Sequence, residues 1–307
     1  MFKKFLLFLI SLFLIGGAFF FFTRSFSPSI NTNEKLTVVT SFYPLEYFSK
    51  KVGGDTARIL TLTPSGAEPH DYEPTPRDIV NIKTSNAFIF NGAGLENWTN
   101  ALVPQLDSQK IHIIKVSDSI DLLSATDSDS NGMPDPHIWL DPVRAQKEVA
   151  IIRDAFISLD PSHASLYTQN AKTFTDELSR LENEYREGLK SCKRKEIITS
   201  HDAFRYLADQ FGFQVYSVSG SSPNQDPSPK HIADMVTLAR SKQIHFILTE
   251  TLSSPKFVDT IAKEANLQTL VFNPIEGLTD TDKKQGKDYL IIMRENLKNL
   301  KTAMECE

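Results

Sequence analysis

Residues 160–189 read DPSHASLYTQNAKTFTDELSRLENEYREGL, and within them Tyr167, Ala171, Phe174, Leu178, Leu181, Tyr185 and Leu189 recur at steps of three or four. That period draws one apolar stripe along an α-helix, and Asp160 with Pro161 supplies a cap and a first turn. About 28 helical residues at 1.5 Å each span on the order of 40 Å, enough to cross a domain instead of merely returning to a sheet. The helix therefore reads as a strut between two lobes.

On both sides of the strut, short β-branched or apolar runs alternate with longer amphipathic segments, the pattern of parallel sheets wrapped by helices. Strands are expected at residues 36–40, 57–63, 87–91 and 111–116 before it, and at 196–200, 214–219, 245–250 and 268–273 after it. The fold class is α/β: two Rossmann-like lobes with mostly parallel sheets, joined by one long rigid helix. The expected divisions are residues 1–30, an amino-terminal lobe over 31–159, the connecting helix over 160–190 and a carboxyl-terminal lobe over 191–307.

The 307 residues, 40% hydrophobic and 23% charged, have ordinary globular composition. Formal net charge is −5, and Lys3, Lys4 and Arg24 stand in residues 1–30 without any acid, so the remainder is more acidic still. That sign argues against a nucleic-acid partner. Lys3 and Lys4 precede an apolar run over residues 5–22, which reads as an export signal, either cleaved or kept as an amino-terminal membrane anchor. Either way the globular part is expected in the periplasm or otherwise outside the cytoplasm. The first cysteine is Cys192, so no amino-terminal cysteine is offered for lipid attachment. In an oxidising compartment Cys192 and Cys306 form one bridge or remain two thiols, and both readings stay open.

Ligands of open parallel sheets bind beyond the carboxyl ends of the strands, so the polar residues at strand exits carry the information. The run after residues 57–63 is Pro64-Ser65-Gly66-Ala67-Glu68-Pro69-His70-Asp71-Tyr72-Glu73-Pro74. Ser200 is followed by His201 and Asp202, Thr249 by Glu250, and Asn273 by Pro274-Ile275-Glu276. His137 lies in Asp135-Pro136-His137-Ile138-Trp139-Leu140-Asp141-Pro142, just before a helix expected to start near Pro142. Histidines and carboxylates at strand exits of both halves are the ingredients of a first-row metal site. His70, His137 and His201 are 67 and 64 residues apart, however, so no local chelating motif joins them, and each alone reads more readily as a structural or surface histidine than as a ligand. His112, His163, His231 and His245 are assigned no role.

Together with Asn91-Gly92-Ala93-Gly94-Leu95-Glu96-Asn97-Trp98, these segments occur in an order that resembles the zinc- and manganese-type (ZnuA/TroA-like) substrate-binding proteins of ABC importers. The resemblance runs from about Leu36 to Leu300. It implies capture of a bare divalent cation in the cleft between the lobes, by His70, His137 and His201, and delivery to an importer permease and through it to an ATPase. A monomer without enzymatic activity is expected. Manganese-type relatives place a carboxylate at the third position and zinc-type relatives a histidine, so His201 favours Zn²⁺ as cargo, with Mn²⁺ or Fe²⁺ as alternatives. Asn273 stands where an aspartate ligand is expected, and a neutral amide is a poor zinc ligand. Glu276 resembles the glutamate of some relatives and is taken as the fourth ligand, with water or Glu250 as alternatives. Glu250 is expected instead to accept the other ring N–H of a bound imidazole. The 124–135 loop, His-rich in many zinc-type relatives, carries Asp127, Asp129 and Asp135 and no histidine.

Such a site holds metal and does not hydrolyse, because four protein ligands leave no open position for water. Affinity is expected to fall below about pH 6.5, where imidazoles protonate. Release is expected from a lobe shift that carries His201 and Glu276 away from His70 and His137. The rival from another class is a zinc hydrolase with Glu250 or Glu276 as base; no His-Glu-x-x-His motif supports it.

Overall fold

In the amino-terminal half, strands β1 (Leu36–Thr40), β2 (Ala57–Thr61), β3 (Ala87–Phe90) and β4 (His112–Lys115) form a parallel sheet of order β2-β1-β3-β4. β5 (Glu196–Thr199), β6 (Gln214–Ser217), β7 (Phe246–Thr249) and β8 (Gln268–Val271) repeat that order as β6-β5-β7-β8, again all parallel. A computed structural model describes residues 35–124 and 132–307. The apolar amino-terminal run and residues 125–131 of the acidic loop lie outside the described residues. Among those described, no helix is long and apolar enough to cross a membrane.

All eight expected strands form, several shorter at the carboxyl end than the apolar runs. Pairing nevertheless continues past β2, where Leu62 N donates to Thr40 O at 2.9 Å and Thr63 N to Ser41 O at 3.0 Å. Alternation along the strands divides the core. Val38 and Ile89 face the helices shared by both lobes, whereas Val39, Phe88 and Phe90 pack outward with Ile82 and Trp98. Ile197 and Ile198 split the same way in the second lobe. Both faces of each sheet are thus covered, which a parallel sheet needs.

The helices are α1 (Tyr43–Gly53), α2 (Pro76–Thr84), α3 (Thr99–Leu102), α4 (Pro142–Leu159), α5 (Ala164–Gly188), α6 (Arg205–Phe211), α7 (Pro229–Ser241), α8 (Lys256–Ala265), α9 (Asp280–Lys284) and α10 (Tyr289–Ala303). α5 is the strut. It has 25 residues, and its stripe of Tyr167, Ala171, Phe174, Leu178, Leu181 and Tyr185 is buried against α1, α4 and α10. It starts later than expected, because Pro161–His163 forms a 3₁₀ turn. Asp160 caps no backbone N–H; its carboxylate takes the Tyr167 hydroxyl at 2.8 Å and the His163 ring nitrogen at 2.6 Å. α4 begins at Pro142 with Asp141 accepting from Val143 N, so the capped helix starts five residues after His137.

Cys192 and Cys306 are bridged, closing 114 residues of chain between the end of α5 and the carboxyl terminus. The bridge precedes β5, on the side of the sheet opposite the strand exit that bears His201. A loop of that length restricts the unfolded chain enough to stabilise the fold by about 2–4 kcal/mol. Cys192→Ser with Cys306→Ser should lower the melting temperature by roughly 5–15 °C. Zn²⁺ affinity of the folded variant should stay within about twofold, and a larger loss by titration would contradict the separation of the two sites.

Candidate metal centre

Chain order reverses between β1 and β3 and again between β5 and β7, which opens a crevice beyond the strand ends of each lobe. The two crevices face one another, and His70, His137, His201 and Glu276 converge there.

His70 sits in the 3₁₀ turn Pro69–Asp71 after β2, with Glu68 accepting from its backbone N–H. His137 follows a bend in which Asp135 Oδ1 takes both its N–H, at 3.0 Å, and its ring Nδ1, at 2.8 Å. Asp135 is itself held through its backbone oxygen by the Tyr206 hydroxyl at 2.7 Å, and Asn91 Nδ2 donates to Pro136 O at 2.9 Å. Asn91 is fixed in turn, because Glu96 Oε1 accepts from its N–H at 2.9 Å and from the Ser41 hydroxyl at 2.6 Å. The Asn91–Trp98 segment thus supports the His137 turn. His201 is separated from β5 by one residue, and Glu250 Oε1 lies 2.6 Å from its Nδ1 and 3.1 Å from its N. A carboxylate on Nδ1 holds the proton there and leaves the Nε2 lone pair of His137 and of His201 aimed into the crevice.

The four donor atoms make a small polyhedron. His137 Nε2 lies 3.3 Å from His70 Nε2 and 3.2 Å from His201 Nε2. Glu276 Oε1 lies 3.3, 3.3 and 3.4 Å from the Nε2 atoms of His70, His137 and His201. A tetrahedral Zn²⁺ with Zn–N and Zn–O bonds of about 2.0–2.1 Å sets its ligand atoms about 3.3–3.4 Å apart. Five of the six edges thus have zinc dimensions, and the sixth, His70 to His201, is within 4.8 Å. His137, His201 and Glu276 side chains are fully enclosed, whereas that of His70 keeps 9% exposure.

Burial pushes the Glu276 carboxyl up, but the three imidazoles outweigh it and hold Glu276 well below the usual range, so it is anionic. Burial also lowers His201, and Glu250 with Glu276 reverses this and holds it well above the ordinary imidazole value. His137 rises more modestly, burial being overcome by Asp135 and Glu276. His70 has no such excess of carboxylate, and burial depresses it. Burial and the neighbouring Glu276 charge push Glu68 up to about 9. The carboxylates around His137 and His201 thus favour positive charge on the two rings, an environment that would equally favour a cation among them.

Two residues beside the cluster were not singled out from the sequence. Asp135 orients His137 as Glu250 orients His201, and the only signal was an aspartate two positions ahead of a candidate ligand. Glu68 crowds Glu276, which no spacing indicated. Asn273 is no donor to the cluster; its Oδ1 accepts from Ile275 N. The remaining histidines lie elsewhere: His112 opens β4, His163 pairs with Asp160, His231 with Ser217 O and His245 with Glu305. The loop that carries Glu276 is also tied across to the amino-terminal lobe. Trp139 Nε1 donates to Pro274 O at 2.8 Å and Gly66 N to Leu278 O at 3.0 Å, tying the Glu276 loop to the amino-terminal lobe from two sides. Moving His201 and Glu276 off together would have to break both ties.

Three imidazoles and one carboxylate, gathered from two parallel-sheet lobes across a long helix, define a two-lobed binding protein with a metal-sized centre. The chain belongs to the ZnuA family, zinc-uptake complex component A, periplasmic, whose model matches residues 38–303. It is 36% identical over 282 residues to the high-affinity zinc uptake system protein ZnuA of Bacillus subtilis (strain 168), 88% of each chain. It is 35% identical over 283 residues to the zinc-binding lipoprotein AdcA of Streptococcus pneumoniae serotype 4, covering 89% of this chain and 56% of AdcA. The chain thus spans little more than half of that relative. The solved Zn(II)-bound ZnuA-like domain of Streptococcus pneumoniae AdcA matches with a TM-score of 0.79 at 36% identity, covering 89% of this chain and 100% of the domain.

Proposed function

We propose that this chain captures one Zn²⁺ ion outside the cytoplasm and delivers it to the permease of an ABC importer, whose ATPase drives uptake, and that it is not an enzyme. His70, His137, His201 and Glu276 are the ligands; Asp135 and Glu250 hold the Nδ1 protons of His137 and His201. The observation that carries the reading is the set of five donor–donor distances at 3.2–3.4 Å. Imidazole-rich tetrahedral geometry suits Zn²⁺ better than Mn²⁺, which favours six oxygen-rich ligands, and Zn²⁺ stands above Fe²⁺ and Mn²⁺ in intrinsic affinity. Family membership and the zinc-uptake names of the relatives support the same cargo and the importer as partner. Against a hydrolase, Glu276 Oε1 occupies the fourth corner that an activated water would need.

Competition titration of the metal-free chain with Zn²⁺, Mn²⁺ and Fe²⁺ tests this. One Zn²⁺ per chain, at least about 100-fold tighter than Mn²⁺, is expected from the donor set; Mn²⁺ binding as tightly would overturn the assignment. At about 1,000 times Kd, Zn²⁺ should stabilise the fold by about 4 kcal/mol. The melting temperature should then rise by roughly 8–16 °C and fall back on chelation.

A further inference from the structure

The turn that presents Glu276 is held by a side-chain clamp outside the ligand set. Ile275 is fully buried at a φ of +59° and is the only β-branched residue at positive φ among the described residues. Branching at Cβ disfavours that conformation, so the surroundings must impose it. Asn273 Oδ1 accepts from Ile275 N at 2.7 Å, closing a side-chain turn across Pro274. Asn296, buried in α10, brackets the backbone of Asn273: its Oδ1 accepts from Asn273 N at 2.8 Å and its Nδ2 donates to Asn273 O at 2.7 Å. Trp139 secures Pro274 O from the other lobe. Glu276 follows Ile275 directly.

We propose that Asn273 and Asn296 are positioning residues for Zn²⁺ capture. They hold the unfavourable Ile275 turn in the conformation that brings Glu276 Oε1 to the three imidazole nitrogens before the ion arrives. Without the Asn273 acceptor, Ile275 relaxes toward negative φ and the Glu276 side chain swings off the cluster. Binding must then restore the turn, and affinity falls by that amount. The effect passes through Glu276 alone. The inference rests on the proposed role of Glu276 as a Zn²⁺ ligand.

A double-mutant cycle tests it. Zn²⁺ affinity is measured against a chromophoric chelator for the full chain and for Asn273→Ala, Glu276→Gln and the double variant, with thermal melts of the zinc-free proteins alongside. Asn273→Ala should weaken binding about 10–30-fold when Glu276 is present and less than about twofold in the Glu276→Gln background. Asn273→Ser, whose hydroxyl can accept from the same N–H, should recover most of the loss. An equal factor in both backgrounds, or an equal loss for Ala and Ser, overturns the inference while the function stands. Should Asn273→Ala fail to fold, Asn296→Ala enters the same cycle with the same deciding outcomes. Unchanged affinity in Glu276→Gln alone removes the fourth-ligand assignment and the inference with it. A native chain that binds no Zn²⁺ overturns the proposed function itself.

Discussion

His137→Ala should cost about three orders of magnitude in Zn²⁺ affinity, the largest loss of any single ligand. Zinc held by four protein ligands is worth roughly 10–16 kcal/mol, so one ligand accounts for about 3–4 kcal/mol, and each 1.4 kcal/mol is tenfold. His137 stands above that average for two geometric reasons. Its Nε2 is within 3.3 Å of each of the other three donors, so its removal opens the centre of the cluster and not an edge. Asp135, 1% exposed, also accepts from the His137 Nδ1 at 2.8 Å and so raises the basicity of the ring, which makes it a stronger donor to the ion than a ring without such a partner. His70→Ala provides the contrast: the side chain keeps some exposure, so water can enter its place, and a loss nearer 100-fold is expected. Competition titration measures both. A His137→Ala affinity within tenfold of the native value would remove His137 from the ligand set.

The second large effect is on pH. Zn²⁺ can bind only after the protons in the crevice leave, and their holders are His201, held well above its ordinary value by Glu250 and Glu276 against burial, and His137, raised by Asp135 and Glu276 against burial. The ordinary imidazole value of about 6.5 therefore understates where affinity begins to fall; the decline starts above it. His70, depressed by burial, is already neutral there, and Glu276 stays anionic. With one to two protons displaced per ion, affinity should drop by one to two log units per pH unit, roughly a thousandfold from pH 7.5 to 5.5. The zinc-free fold shows the linked effect. A raised His201 contributes stability that is full below about pH 6.5 and is lost as pH climbs through its folded value. The rise in melting temperature on adding Zn²⁺ should therefore be larger at pH 8 than at pH 6. Glu250→Gln, which removes a principal cause of the upward shift, should move the affinity profile to lower pH. An affinity flat from pH 7.5 to 6.5 would contradict the protonated crevice.

Much of the architecture was legible because it is periodic. The stripe from Tyr167 to Tyr185 and the eight apolar runs repeat at 3.6 or are bounded at strand length, and burying such patterns admits few solutions. Strand ends were less legible: residues such as Leu62 and Phe272 are apolar for reasons of burial, while the ladder ends where the chain turns toward the crevice. The candidate ligands were visible as residue types at strand exits, since His201 is separated from its strand by one residue and Glu250 follows its own at once. Their roles were not visible in the same way. Nothing in a separation of 67 or 64 residues says that three rings meet, and Asp135 and Asn273 look like ordinary loop residues until their oxygens are seen to accept from His137 and Ile275.

By itself, then, the amino-acid order determined two parallel-sheet lobes, a helical strut and a supply of imidazole and carboxylate at the strand exits, because those follow from hydrophobic period and chain direction. Only the tertiary structure decided that Nε2 of three distant histidines and one oxygen of Glu276 meet, five of their six separations matching a tetrahedral edge. It likewise decided that Glu276 is moored to both lobes, and that buried carboxylates raise His137 and His201. Distances between remote side chains are set by how helices and sheets pack, and a metal ion responds to those distances, not to positions along the chain.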